Sequence, residues 1–326
     1  LQEVRQFDEA ITTHQNARDL FHELGDRHGE AKAWINLGAA LQEVRQFDEA
    51  ITTHQNARDL FHELGDRHSE AATWTNLGAA LQEVRQFDEA ITAHQNARDL
   101  FHELGDRHSE GRAWTNLGNA LQEVRQFDEA ITAHQNARDL FHELGDRHRE
   151  GRAWNNLGNA LRGVRQFDEA ITAHQNARDL MHELGDRHGE GRAWTNLGNA
   201  LLEVRQFDEA ITAYQNDIEI CQELGDRHGE AITWNNVGAA LQEVRQFDEA
   251  ITAHQNARDL FHELGDRHGE AKAWTNLGNA LAHSERIREA AHAWSNAVAA
   301  FEDAGDSERT DSLRDRLAKF GTNEAD

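Results

Sequence analysis

The sequence contains no proline, one cysteine, one methionine and one tyrosine in 326 residues. The absence of proline removes the residue that most often interrupts a helix. A single cysteine, Cys221, excludes an intrachain disulfide, so we expect a reducing compartment, by default the cytoplasm. Apolar runs never reach the length of a membrane-spanning helix, and no stretch resembles a secretory signal. The composition therefore argues against a membrane partner.

Positive charge is also scarce. The chain has 33 lysine and arginine residues against 59 acidic ones, for a formal net charge of −26. This charge favours solubility and repels phosphate backbones, so nucleic acid is not an expected partner. Only Lys32, Lys272 and Lys319 are lysines. That skew, with abundant alanine and glycine, indicates a GC-rich coding sequence and favours a bacterial source.

A unit of forty residues dominates the chain. The segment at 1–40 recurs nearly unchanged from 41, 81, 121, 161, 201 and 241, and the pattern decays from 281. A fixed period of this length is typical of stacked repeats, each of which buries its apolar face only against its neighbours. We therefore expect one continuous domain over 1–326. Because the chain opens at Leu1 in the middle of a unit, we also expect it to be part of a longer protein.

Each unit contains two helical patterns, called A and B. In helix A, predicted from Glu70 to Val84, apolar residues recur at spacings of three and four. Helix B is predicted from Asp88 to about Leu104, with the same periodicity. Gly105 is suited to end helix B in a left-handed conformation, and Asp106 to cap the next helix A. The short turns predict antiparallel neighbours.

The spacing of certain residues resembles the tetratricopeptide repeat signature. These residues are Trp74, Leu77, Gly78, Leu81, Ala90 and Ala97. Three features depart from the common pattern: Leu81 and His94 replace aromatic residues, the closing proline is missing, and the unit is longer. The longer unit is most similar to the repeats of kinesin light chain, of Pins-type adaptors and of bacterial tandem-repeat signalling proteins.

The resemblance implies an all-α fold, a right-handed α-solenoid or superhelix of tandem antiparallel helix pairs. By register, residues 1–28 form a half repeat and 29–304 form seven helix pairs. Residues 305–320 are predicted to form a solvating cap helix, and 321–326 a frayed tail.

The units differ mainly at four positions of helix A, which we call the variable stripe. The positions are spaced by three, four and three residues, so they share one face. Helix B hardly varies. The resemblance places this face on the concave wall of the superhelix. The four series are Lys32, Ala72, Arg112, Arg152, Arg192, Ile232 and Lys272; Ile35, Thr75, Thr115, Asn155, Thr195, Asn235 and Thr275; Ala39, Ala79, Asn119, Asn159, Asn199, Ala239 and Asn279; and Gln42, Gln82, Gln122, Arg162, Leu202, Gln242 and Ala282.

Beside the variable stripe runs an asparagine that never changes, the asparagine ladder. A primary amide offers a donor and an acceptor, as an extended peptide backbone does. By resemblance, similar ladders line the peptide grooves of kinesin light chain and O-GlcNAc transferase. A second interpretation stays open, in which each amide bonds a neighbouring helix and locks packing. The ladder consists of Asn36, Asn76, Asn116, Asn156, Asn196, Asn236 and Asn276.

The middle units add arginines to the same face. Guanidinium groups pair well with carboxylates, so a protein or peptide ligand with acidic side chains is the expected guest. In the alternative, Glu110, Glu150 and Glu190 neutralise these arginines. The candidate residues are Arg112, Arg152, Arg192 and Arg162, flanked by Asn119, Asn159 and Asn199.

Other candidate sites are weak. His94 and His102 lie eight residues apart on helix B, outside the spacing of three or four residues that brings two metal ligands together, and His94 suits the aromatic packing position. The Asp88-Glu89 pair suits a helix start in every unit. Cys221 replaces a core residue, and no phosphate-binding loop or serine elbow occurs. We expect no metal, no cofactor and no catalysis.

Two functions remain. The first is a non-catalytic peptide-binding scaffold that uses the concave groove. The second is a structural spacer, sensor arm or self-assembling element of a larger bacterial regulator. In the sixth unit an isoleucine pair, Ile218 and Ile220, marks either a contact with another part of the parent protein or an older, less homogenised copy of the repeat. The irregular sixth and last units argue against an engineered array, and the oligomeric state stays open.

Overall fold

A computed structural model describes the backbone of residues 2–322 and the side chains of residues 7–318. Over this range the chain forms sixteen α-helices and no strand. The A helices are α2 (Arg27–Glu43), α4 (Arg67–Glu83), α6 (Arg107–Glu123), α8 (Arg147–Gly163), α10 (Arg187–Glu203), α12 (Arg227–Glu243) and α14 (Arg267–His283). The B helices are α1 (Gln2–Glu23), α3 (Phe47–Leu64), α5 (Phe87–Leu104), α7 (Phe127–Glu143), α9 (Phe167–Leu184), α11 (Phe207–Leu224), α13 (Phe247–Leu264) and α15 (Ile287–Asp303). The last helix is α16 (Ser307–Thr322).

Each helix A begins about two residues earlier than predicted, directly after its capping aspartate. In α6 the carboxylate of Asp106 accepts a hydrogen bond from the backbone N–H of Ser109 at 3.1 Å. Partial burial works to raise the pKa of Asp106, but its hydrogen bonds to Ser109 and its interaction with His68 together outweigh this effect and lower the pKa. Helix α5 ends at Gly105, whose φ of 71° is left-handed. Both predicted end signals are therefore confirmed.

The turn from helix A to helix B contains a feature that the sequence did not indicate. Between α4 and α5, Arg85 has a φ of 62°, a region that favours glycine. Its N–H donates to the carbonyl of Gln82, and that of Gln86 donates to Leu81, both at 2.9 Å. These two bonds satisfy carbonyls at the end of α4 and reverse the chain within three residues.

The chain divides into two compact units, Leu1–Arg165 and Gln166–Asp326. Unit 1 holds α1 to α8 and unit 2 holds α9 to α16, and in each the successive helices pack as antiparallel neighbours. In unit 1, Leu117 and Leu121 of α6 are buried against Ile91 of α5 and Ala130 of α7. The all-α solenoid is thus confirmed. A single domain over 1–326 stays a prediction.

Helices A and B approach closely where a ring meets a glycine. His134 of α7 is fully buried, and a Cβ added to Gly118 of α6 would lie 2.7 Å from both ring nitrogens. The expectation that histidine fills the aromatic packing position is confirmed. Tyr214 and Trp294 take the same position against Gly198 and Gly278. The pairing explains why this glycine recurs in every helix A.

Helix α16 is the predicted cap helix, and it extends to Thr322, two residues beyond the predicted end. Leu313 is buried in the core of unit 2, with Leu317 packed beside it. Of the predicted tail, 321–322 belong to α16, and 323–326 lie outside the described residues.

Candidate peptide-binding surface

Most arginines of the variable stripe lie on the surface of the protein. Arg112 on α6 and Arg152 on α8 are exposed and form no ion pair or hydrogen bond through their side chains with any residue in the described range. Arg192 on α10 is equally exposed in unit 2. Arg162 differs, since it is half-buried in the last turn of α8. Three of the four predicted arginines therefore present unpaired charge.

The glutamates proposed to neutralise these arginines are engaged elsewhere. Glu110 is buried, and its carboxylate lies 3.0 Å from Nδ1 of His102. Glu150 is held in the same way by His142, and Glu190 by His182 and Arg187. The neutralisation interpretation is therefore wrong, because each carboxylate contacts a histidine of the preceding helix B and none forms an ion pair with a stripe arginine in the described range.

In unit 1 the asparagine ladder is mostly unbonded. Asn36 is exposed, and Asn76, Asn116 and Asn156 are half-buried. Within the described range, the side-chain amides of Asn36, Asn76 and Asn116 make no hydrogen bond. Asn156 donates weakly to Oδ1 of Asn119 at 3.4 Å. Most of these amides keep their hydrogen-bonding capacity.

In unit 2 the ladder is divided between the two interpretations. Asn276 donates to Oδ1 of Asn235 at 3.1 Å, which links α14 to α12 and fits the packing interpretation. Asn236 is half-buried, and among the described residues its amide finds no partner. Asn196 is half-buried as well. Ladder position alone therefore does not decide the role.

The flanking asparagines were predicted to help bind a peptide, but two of the three form hydrogen bonds to other side chains of the protein. Oδ1 of Asn199 accepts a 2.7 Å hydrogen bond from the hydroxyl of Tyr214, and Oδ1 of Asn119 accepts the bond from Asn156. Asn159 is half-buried, and its amide has no partner in the part of the chain described. The side chain of Asn199 therefore holds the tyrosine of the neighbouring helix.

The constancy of helix B also has a structural reason. The Arg98 guanidinium lies 4.6 Å from the ring centroid of Trp114 on the next helix A, while its Nε donates to Asp99 at 2.8 Å. Such cation–π contacts stabilise by about 0.5–1 kcal/mol when exposed. The recurring Arg-Asp pair of helix B therefore has a structural role, because its arginine holds the neighbouring tryptophan. The other pairs are Arg18 with Trp34, Arg58 with Trp74, Arg138 with Trp154, Arg178 with Trp194 and Arg258 with Trp274.

The unusual residues of the sixth unit pack inside unit 2. Ile218 and Ile220 are buried in unit 2, so the expectation that they contact another part of the parent protein is wrong. Asp217 is buried between two threonines, and its Oδ2 accepts hydrogen bonds from Thr195 and Thr233, both at 2.6 Å. Burial raises the pKa of Asp217, against the lowering effect of these hydrogen bonds.

The candidate metal and thiol groups named from the sequence can be located among the described residues. They contain no group of three or more histidine, cysteine, aspartate or glutamate side chains placed to hold a metal ion. Cys221 is buried, and burial, followed by the nearby Asp217, raises its pKa to about 12. Its thiol therefore stays protonated at neutral pH. No described helix is both long and apolar enough to cross a membrane.

The repeat itself identifies the family. A model of the tetratricopeptide repeat matches residues 1–63, 29–101, 69–141, 109–183, 149–223 and 229–303. The chain belongs to the tetratricopeptide repeat family. No curated protein matches its sequence. The sequence-based resemblance is thereby confirmed over most of the chain, and the array is a repeat-based scaffold for protein interactions.

Solved tetratricopeptide structures share the fold at low sequence identity. BtubC from P. vanneervenii is 18% identical with a TM-score of 0.60, over 67% of this chain and 92% of that one. A signal transduction ATPase from Pyrococcus horikoshii, PH0952, has a tetratricopeptide repeat sensor; it is 14% identical with a TM-score of 0.62, over 95% of this chain and 52% of that one. A Rap protein complexed with competence and sporulation factor is 12% identical with a TM-score of 0.53, over 97% of this chain and 99% of that one.

One group of residues near the candidate surface was missed by sequence reasoning. A cavity in unit 2 lies among α12, α14 and α16 and is lined in part by Lys272, Arg309 and Arg316. Two of these belong to α16, which was predicted only to shield the core. The sequence did contain a signal for them, the capping residue Asp306. It lies at the cap position of the forty-residue repeat, so α16 has the register of an A helix and Arg316 falls forty residues after the ladder residue Asn276.

Proposed function

We propose that the array is a non-catalytic scaffold that binds an acidic peptide segment along the variable stripe and the asparagine ladder. The observation that carries this proposal is the unpaired charge of Arg112 and Arg152 in a chain of net charge −26. Each arginine lies four residues before a ladder asparagine on the same helix face, Asn116 or Asn156. We infer that guanidinium groups bind carboxylates of the guest while free amides bind its backbone.

The binding energy would be distributed over several helices. A hydrogen bond to a neutral amide contributes about 1 kcal/mol net, and one to a charged group about 1.5–3 kcal/mol. Exposure to water lowers the contribution of each ion pair. We therefore expect moderate affinity that falls with added salt, since solvent-exposed charges are screened. The predicted compartment remains the cytoplasm.

Replacing both stripe arginines of unit 1 tests the proposal. We expect Arg112→Gln with Arg152→Gln to weaken binding of a labelled glutamate-rich peptide by about tenfold or more, because two charge-assisted contacts are lost. The measurement is fluorescence anisotropy of the peptide titrated with the full chain. A peptide with glutamine in place of glutamate serves as the uncharged comparison.

The chain offers a control of equal charge. Arg85 and Arg125 are exposed arginines of the A-to-B turns in unit 1 and are not among the four positions of the variable stripe. Arg85→Gln with Arg125→Gln changes the net charge by the same amount, and we expect it to leave the dissociation constant within about twofold. Equal weakening by the two double variants would contradict the proposal, because binding would then depend on net charge alone.

A second candidate function is a sensor arm or self-assembling element. The observation that favours it is the fold shared with the ATPase PH0952, which has a tetratricopeptide repeat sensor and of which this chain covers about half. Light scattering at increasing protein concentration separates the two. A mass that stays monomeric supports the peptide scaffold, whereas a stable oligomer without any peptide supports self-assembly.

A further inference from the structure

The cavity among α12, α14 and α16 in unit 2 has a volume of about 260 Å³. It is lined by the end of the variable stripe, through Asn235 and Lys272, and by the ladder residue Asn276. Helix α16 completes it with Arg309, Ser312 and Arg316. A typical site for a small-molecule ligand has about 300–1,000 Å³. This cavity lies just below that range and has room for one side chain or one small ion.

Helix α16 contributes cations because it continues the register of the A helices. Asp306 accepts the backbone N–H of Arg309 at 3.1 Å, as the aspartate cap of each helix A does. Ser312 and Arg316 therefore occupy the positions that Lys272 and Asn276 hold on α14, forty residues earlier. The last helix thus presents a guanidinium at the ladder position.

The positive charge in the cavity is only partly compensated. Arg309 is paired with Asp306 at 3.0 Å. Arg316 donates instead to the neutral amide oxygen of Asn279 at 2.5 Å and lies 5.6 Å from the Trp294 ring centroid. Lys272 is exposed, and no described residue pairs with it. No carboxylate lines the cavity, so two cations remain without an acidic partner.

We propose that this cavity binds a phosphoryl group, carried on a side chain of a peptide guest or as the free ion. A phosphoryl group carries about −1.5 to −2 charges at neutral pH and three acceptor oxygens. Lys272 and Arg316 match that charge, and the Ser312 hydroxyl offers a further donor. A single carboxylate would neutralise only one of the two cations. The proposal goes beyond acidic-peptide binding and does not depend on Arg112 or Arg152.

The test compares three short labelled peptides that differ only in a central phosphoserine, glutamate or serine. At about pH 7.5, above the second phosphate pKa of about 6, we expect the phosphoserine peptide to bind the full chain about tenfold more tightly than the glutamate peptide. Inorganic phosphate is added as a competitor. If inorganic phosphate displaces the peptide at concentrations near the dissociation constant of the phosphoserine peptide, the free ion is itself a ligand. If displacement needs far higher phosphate concentrations, the ligand is the phosphoryl group carried on a peptide.

Lys272→Ala provides the matched variant, because Ala72 fills the same position on α4 and the fold accommodates it. We expect it to weaken phosphoserine-peptide binding about tenfold. The control is Arg288→Ala, which removes the same charge from an exposed position on α15, a B helix, outside the cavity lining and the variable stripe. It should change affinity less than twofold. Equal affinity for the phosphoserine and glutamate peptides, or equal loss in the Lys272 and Arg288 variants, would overturn the proposal.

Discussion

Acidification from about pH 7 to about pH 4 is expected to unfold the array through its buried histidines. His54, His94, His134 and His254 have no exposed surface, and burial lowers the pKa of each from 6.5 to about 4. The unfolded chain therefore binds protons at a higher pH than the folded one. Stability is complete above pH 6.5 and is lost progressively as the pH falls towards 4.

The expected loss of stability is large because the buried histidine recurs at the same position in several repeats. A shift of one pKa unit corresponds to about 1.4 kcal/mol, so a shift of this size corresponds to about 3 kcal/mol for each histidine at full protonation. Domains are stable by only about 5–15 kcal/mol, so four such positions, about 12 kcal/mol together, are comparable with the whole margin. Circular dichroism at 222 nm across urea titrations at several pH values measures the loss.

His134→Tyr isolates one histidine. In the sixth unit the hydroxyl of Tyr214 donates to Asn199, and Asn119 stands at the matching position for residue 134. We expect the variant to lose less stability than wild type between about pH 7 and pH 5, by about 2 kcal/mol. An unchanged pH dependence in this variant would show that acid unfolding arises from other groups, such as the helix-capping aspartates.

Two glycines of one helix are expected to respond in opposite ways to alanine. A Cβ at Gly118 would lie 2.7 Å from both ring nitrogens of His134, which is fully buried and has no room to move. Overpacking of this kind costs about 1–3 kcal/mol. Gly118→Ala should therefore lower the free energy of unfolding, although alanine forms helix better than glycine. Urea denaturation at neutral pH measures the change.

Gly111, seven residues earlier on α6, is the control. Its Cβ would lie 2.9 Å from the ring of Phe141, but the corresponding Ala71 packs with Phe101 in another repeat. The phenylalanine ring therefore adjusts, and Gly111→Ala should raise stability by about 1 kcal/mol through helix propensity. Stabilisation by both variants would contradict the account of the glycine–ring contact.

The repeated architecture was predictable because several independent signals coincide in every unit. Apolar periodicity, the capping role of Asp106 and the left-handed Gly105 all point to the same helix ends. The left-handed conformation of Arg85 was not predictable, since the hydrogen bonds that hold it come from the end of helix A. Its residue type carries no signal for that backbone geometry.

The candidate surface was only partly predictable. Comparing the units located the variable stripe, but hydrogen-bond partners depend on three-dimensional neighbours. In the variable stripe, Asn199 accepts a hydrogen bond from Tyr214. On the asparagine ladder, Asn276 donates to Asn235, whereas the side chain of Asn116 makes no hydrogen bond in the described range. Likewise, the glutamates nearest to the arginines in sequence are held by histidines of the preceding helix B. Such pairings across helices are set by packing and not by spacing along one helix.

The most direct test of the central claim is to map where an acidic guest lies. A glutamate-rich peptide with a photo-reactive benzophenone side chain is cross-linked to the full chain, and the attachment sites are identified by mass spectrometry. We predict attachment along the A helices, at the variable stripe around Arg112 and Arg152, with loss on adding unlabelled peptide. Attachment confined to the B helices would contradict the assignment of the binding surface.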